Sequence, residues 1–285
     1  MPATVKRALI ICGLPGNEEY KEIFTESVTK IRAALTDRFG FKSENVRVQL
    51  GTHEEQPEPK GSASGRATRK EIFAEAKTLV EKTSANDLAW VFVISHAYFD
   101  GKSVFLNVPD TDISHVEFAE SFKGLGGKNT AFFICAPVSG YFIKGLSKPG
   151  RVVITSSERD YETNGSIFQT HLANALTEIS SDPKFDFDNN GKVSLVDLYI
   201  KTTRDLVNAY ITNDPPLYPT EHPNFDDNGD GKGSELQVNF LTPQQGGRMG
   251  SKRRKRKMSD GQIAAEVPLP FSPNVAKPKN SAGVR

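Results

Sequence analysis

Cysteine is scarce in this chain. Two residues out of 285, Cys12 and Cys135, cannot build a disulfide framework, and both sit inside apolar runs. No stretch approaches the roughly 18 consecutive apolar residues of a membrane-crossing helix, which excludes a membrane span. The opening Met1-Pro2-Ala3-Thr4-Val5-Lys6 leads straight into a strand-like run without the pattern of a secretory leader, so the expected compartment is the cytoplasm. Net charge is almost absent as well, with 36 Lys and Arg against 35 Asp and Glu. That balance hides a division. Residues 241–285 hold ten basic and two acidic side chains, a net +8, which leaves −7 for residues 1–240 of a chain whose total is +1. A mildly acidic globule with a basic tail is a poor match to a dedicated nucleic-acid fold, whose cations line a structured face.

What is present over the first 180 or so residues is an alternation of apolar runs and helical patterns. Residues 8–12, 46–50, 88–94, 130–135 and 152–155 read as strands, the third being apolar throughout. Between them, Phe24, Val28, Ile31 and Leu35 fall at helical spacing, with Gly40 placed to end that helix. Thr68 with Glu71 and Ser114 with Glu117 have the spacing of capping boxes, and residues 167–179 read as a further helix. Residues 51–67 hold Gly, Pro, Glu and Ser without periodicity and are expected to be a mobile loop. Continuous apolar strands separated by helices predict an α/β fold, a mostly parallel sheet with helices on both faces. In such sheets chemistry gathers at the carboxyl ends of the strands, here Gly13, Ser95-His96, residues 136–140 and Ser156-Ser157-Glu158.

His96 closes the most apolar strand, and about forty residues later another core strand runs into Ser139-Gly140. With the strand order and the 151–155 strand beyond, this resembles the caspase-like cysteine peptidases, most closely the legumain-like branch, over roughly residues 5–180. The resemblance implies that His96 occupies the general-base position and that Ala97 replaces the usual glycine, still offering a backbone N–H. It puts Pro137 where the nucleophilic cysteine belongs. Proline has neither a thiol nor an N–H, so nucleophile and one oxyanion donor are lost together. Cys135 shares a strand face with residue 137 but lies about 6–7 Å deeper, at roughly 3.3 Å per residue. Cys135 is therefore either a small buried hydrophobe or, after a slip of the strand end, a nucleophile paired with His96. Ser139 is a second candidate nucleophile. His96 is either a base or a vestige, and the emptied cleft could hold a peptide or protein ligand. The resemblance also implies that Ser156-Ser157-Glu158 lines a specificity pocket. His53, His115, His171 and His222 fall at no ligand spacing and read as surface residues.

The most specific motif is the run 186–197, which fits an EF-hand loop. Asp186, Asp188 and Asn190 take positions 1, 3 and 5, Gly191 position 6, the Lys192 carbonyl position 7, Ser194 position 9 and Asp197 position 12. Val193 is the apolar anchor, and Leu195, Leu198, Thr202 and Leu206 continue as an exiting helix. Aspartate in place of glutamate at position 12 favours weaker calcium binding, or magnesium. A second run begins in the same way, with Asp226, Asn228 and Asp230 at positions 1, 3 and 5, Gly231 at 6 and the Lys232 carbonyl at 7. Its position 12 is Gln237, with Glu235 two places early, so the closing carboxylate is missing or displaced.

The expected organisation is a caspase-like α/β domain over 1–182, calcium loops packed on it over 183–240, and a largely disordered or weakly draped basic tail over 241–285. The tail contains six consecutive cations, Lys252, Arg253, Arg254, Lys255, Arg256 and Lys257, suited to a polyanion. The functional expectation is a calcium-binding pseudopeptidase that serves as a binding or regulatory module. The alternatives are an active calcium-dependent cysteine peptidase using Cys135 and His96, and a scaffold docked to a polyanion through residues 252–257.

Overall fold

The computed structural model describes residues 4–51, 64–126, 129–159, 162, 165–236, 259–273 and 275. The first apolar run is β1 (Lys6–Cys12), and its alternation divides the molecule into two layers. Ala8, Ile10 and Cys12 face one core, and Leu9 and Ile11 the other. Helix α1 (Glu18–Asp37) follows, capped by the Asn17 side chain, which accepts from the Tyr20 amide at 2.9 Å. Then come β2 (Val46–Leu50), a two-residue strand β3 (Gly65–Arg66) and α2 (Arg69–Lys82). Strand β4 (Leu88–Ile94) occupies the middle of the sheet, β8 (Thr130–Cys135) lies beside it and β9 (Arg151–Thr155) comes next. These six strands are parallel, in the order β9-β8-β4-β1-β2-β3. The expected α/β architecture with a mostly parallel sheet is present.

Helices cover both faces because strands buried on both sides must be. On one face α1, α5 (Phe168–Glu178) and α6 (Leu195–Ile211) bury Phe24, Leu172 and Leu206 against Trp90, Phe92 and Phe133. On the other, α2, α3 (His115–Ser121) and α4 (Tyr141–Leu146) bury Ile72, Phe118 and Phe142 against Val91, Val93 and Ile134. The Ser114–Glu117 capping box is complete, whereas at Thr68 only the side chain accepting from the Glu71 amide is formed. No helix among the described residues is long and apolar enough to cross a membrane.

The structure departs from the sequence expectations in several places. Residues 65–66 form β3 and Ala67 is fully buried, inside a stretch expected to be one loop, while residues 52–63 lie outside the described residues. A small antiparallel sheet of β5 (Ala97–Phe99), β6 (Val104–Leu106) and β7 (Ile113–Ser114) rises from the end of β4. Past α6 the chain returns to the main sheet as β10 (Asn224–Asp226), antiparallel on β9, and β11 (Ser234–Glu235) completes eight strands. Strands of two or three residues are too short to carry a readable period. The largest difference is in the tail. Residues 259–273 are packed on the domain, with Ala264 and Leu269 buried beside the α6 face, so this stretch is not disordered. The cationic run 252–257 lies outside the described residues.

Candidate functional site

The first acidic loop lies between a short 3-10 turn at Pro183–Phe185 and α6. Its shape comes from backbone amides folded around the first carboxylate. Asp186 Oδ1 accepts from the Asn190 amide at 3.0 Å and Oδ2 from Gly191 at 2.8 Å. The reversal needs two left-handed residues, Asn189 at φ 57° and Gly191 at φ 87°, which are the residue types that tolerate it. At the far end Asp197 has two roles. Its Oδ2 accepts from the Ser194 amide and hydroxyl, closing the capping box of α6, and its Oδ1 accepts from Phe187 N at 2.6 Å. The carboxylate is thereby fixed, fully buried (0% exposed), against the mouth of the loop.

Asp186, Asp188 and Asp197 converge: one ligand oxygen from each lies within 4.8 Å of the others. Among the described residues this is the only group of three acidic, histidine or cysteine side chains brought to that spacing. The proximity has an electrostatic consequence. Burial, with Asp197 nearby, pushes the Asp188 carboxyl up to about 7, and burial raises Asp197 too. Three carboxylates held together in a partly buried loop favour either a proton or a cation. The donors are all oxygen, which suits a hard cation rather than a soft one. Asp186, Asp188, Asn190, Asp197 and the Lys192 carbonyl would hold it, while Ser194 has its hydroxyl in the helix cap and would reach the ion through water. The Lys192 ammonium is turned outward to Glu266 at 2.6 Å.

The second loop is built differently. Asp226 ends β10, is fully buried (0% exposed) and accepts from the Gly229 amide at 3.2 Å. Asn228 Oδ1 accepts from the Asp230 amide, and Asp230 from Lys232 N, so positions 1, 3 and 5 are all in place. Among the described residues these carboxylates belong to no group of three at the spacing of the first loop. Glu235 is exposed on β11, and Gln237 lies outside the described residues.

At the strand ends, the register pairs Ile94 with Cys135, so Cys135 lies one pleat below the level of His96. Cys135 is 1% exposed, and burial, with Glu221 nearby, raises its thiol above the ordinary thiol range. Among the described residues no hydrogen bond joins it to His96. The imidazole instead faces α1: Nε2 is 3.0 Å from the Pro15 carbonyl, and the ring packs edge-on against Tyr20 at 4.4 Å and near Phe24 at 5.3 Å.

Pro137 is buried at the corner from β8 into α4, and Val138 after it stands at φ 48°, a strained value for a β-branched residue. The amides around that corner are committed. Ala136 N donates to Ser156 Oγ at 3.1 Å, Val138 N to the Glu162 carbonyl at 3.0 Å and Ser139 N to Ser157 Oγ at 2.9 Å. Pro137 has no amide to give. Ser139, Ser156 and Ser157 form one buried hydroxyl cluster, so Ser139 is a brace between β8 and β9, and the Ser156 and Ser157 side chains are turned into the protein. Gly140 permits the contact, since a Cβ there would come within 2.8 Å of the Arg159 amide.

Two of the histidines read as surface residues are engaged. His115 is half-buried and accepts from the Val104 amide at 3.2 Å, and His222 is paired with Glu162. The sequence had no signal for either contact, because the partners come from separate elements. His53 lies outside the described residues. A surface pocket of about 500 Å³ beside α4 is lined by Lys102, Lys123, Lys144, Lys148 and Arg159 with a single acid, Glu120.

No protein-family model matches the chain, and no curated protein matches it.

Proposed function

We propose that this chain is a calcium-binding domain of caspase-like, legumain-type architecture that has lost peptidase chemistry and acts as a binding or regulatory module. Magnesium is the alternative occupant of its loops. The observation that carries the reading is the convergence of Asp186, Asp188 and Asp197 within 4.8 Å around a tight turn whose amides fold onto Asp186. Because Asp197 lies in the first turn of α6, an ion there would clamp the helix to the loop and add to stability by linkage.

Loss of catalysis is supported by the corner at Pro137. A peptidase needs an activated nucleophile beside its base and free donors for the oxyanion. Here the nucleophile position is proline, the amides at 136, 138 and 139 are bonded within the protein, Cys135 is buried, and His96 is held by the Pro15 carbonyl and packed on Tyr20 and Phe24 of α1. The cationic pocket beside α4 suits an acidic peptide segment as the ligand of the module.

The test is calorimetric titration with calcium, beside thermal unfolding with and without chelator. An ion present at about a hundred times its Kd adds about 2.7 kcal/mol, which should raise the melting temperature by several degrees. An unchanged melting temperature and no binding heat at millimolar calcium would overturn the reading. Cleavage of a peptide library that vanishes in His96→Ala would restore the enzyme.

A further inference from the structure

The second loop lacks a closing carboxylate of its own, and the fold brings one from the tail. Asp260, nearly buried, lies against the loop: its Oδ1 accepts from Asn228 Nδ2 at 2.7 Å and its Oδ2 from the Ser234 hydroxyl. The turn that carries it is fastened by Asp227, the residue beside the loop's first ligand. Asp227 accepts from the amides of Gly261 at 2.9 Å, Ile263 at 3.0 Å and Ala264 at 2.7 Å.

The sign that something further belongs here is Asp226. It is fully buried, the Ser147 hydroxyl lies near its carboxylate, yet its Oδ2 has no hydrogen-bond partner among the described residues. A carboxylate oxygen taken out of water and left unpaired is costly, and with Asp227, Asp230 and Asp260 around it the repulsion adds to that cost. A divalent cation removes both penalties at once. The donors are again oxygen only: Asp226, the Asn228 carbonyl, Asp230 and Asp260.

We propose that Asp260 is the closing ligand of a second calcium site, made with Asp226, Asn228 and Asp230, and that filling this site fastens segment 259–271 to the domain. The inference rests on the reading of the chain as a calcium-binding protein and extends it from the loops to the tail. The segment then continues across the first loop, where Asn190 Nδ2 donates to the Ala265 carbonyl, Lys192 meets Glu266 and the Leu269 amide donates to Val193. Both acidic loops therefore touch one strap. Docking of the strap and cation binding strengthen each other, since coupling between two binding events is reciprocal.

The experiment is calcium titration of the full chain by calorimetry, with amide hydrogen exchange read at Gly261, Ile263 and Ala264. The intact chain should bind two ions. Asp260→Asn keeps the side-chain shape, and should weaken one of the two by at least about tenfold, the loss of roughly 1.4 kcal/mol. Asp226→Asn should affect the same ion, and Asp188→Asn the other. Calcium should slow exchange at the three amides in the intact chain, and chelator or Asp260→Asn should restore it. Two ions bound at unchanged affinity by Asp260→Asn, with the amides still protected, would overturn the inference. A single ion lost in Asp188→Asn would overturn it too while leaving the calcium-binding reading intact. No ion at all would overturn that reading and this inference with it.

Discussion

The amide of Leu269 donates to the carbonyl of Val193 at 2.8 Å, joining the tail to the apolar anchor of the first acidic loop. Next to it Ser194 bridges to Pro268 in an antiparallel sense, so a segment from the far end of the sequence is paired with the loop that begins α6. Leu269 is buried by this arrangement, and Phe271 beyond it stacks on Phe39 at 5.3 Å. Loop, helix and tail are thus one packed unit, and a change at the loop should be felt in the tail.

Asp188→Asn should change sign with the solvent. In chelator at about pH 8 the variant should unfold at a higher temperature than the parent, because an aspartate pushed up to about 7 by its buried surroundings is charged there at a cost. In saturating calcium the order should reverse, because a ligand charge is gone. Thermal unfolding in the two buffers checks both.

The pH dependence follows from the same group. A carboxyl at about 7 in the folded chain, against 3.8 ordinarily, keeps a proton that the unfolded chain has already released. Stability of the calcium-free protein should therefore fall as pH rises between those values, the folded state binding more protons across that window. Asp260, raised to about 6 by burial, acts in the same direction. Calcium displaces these protons, so it should flatten the profile and acidify a weakly buffered solution when added.

Cys135 should be inert to a thiol alkylator in the native state. Its thiol is buried and raised above the ordinary range, and Cys12 beside the same core is pushed up to about 12. Labelling should keep pace with global unfolding, as read by mass spectrometry along a urea series. Rapid labelling of Cys135 in buffer, abolished in His96→Ala, would point back to a thiolate paired with the imidazole.

Ser194→Ala should cost about 1 kcal/mol in chelator, the usual effect of removing an N-cap hydroxyl. It should cost more in calcium, because Ser194 also orients Asp197 through its hydroxyl bond to Oδ2 at 2.9 Å. Urea unfolding in the two conditions separates the cap from the ion.

Leu9, Trp90 and Phe133 show how much of the fold was local information. Each lies in a run of apolar residues long enough to be read as a buried strand, and the helical spacing of Phe24, Val28 and Ile31 makes the covering layer equally legible. Asp186 through Asp197 was legible for a related reason, since its donors are neighbours in sequence and a turn with fixed positions brings them together. What the sequence determined by itself was therefore the parallel α/β plan, the proline at residue 137 and the first acidic loop. Only the tertiary structure decided that His96 packs on Tyr20 away from Cys135, that Ser139 bonds to Ser156 and Ser157, and that Asp260 reaches Asn228. Each of those contacts joins separate elements of the chain. They depend on which surfaces the hydrophobic effect stacks together, and no spacing rule along the chain encodes that. The tail shows it most plainly: its composition predicted disorder or a weak drape, but Leu269 and Ala264 found apolar surface beside α6, and Asp227 supplied a partner for three of its amides.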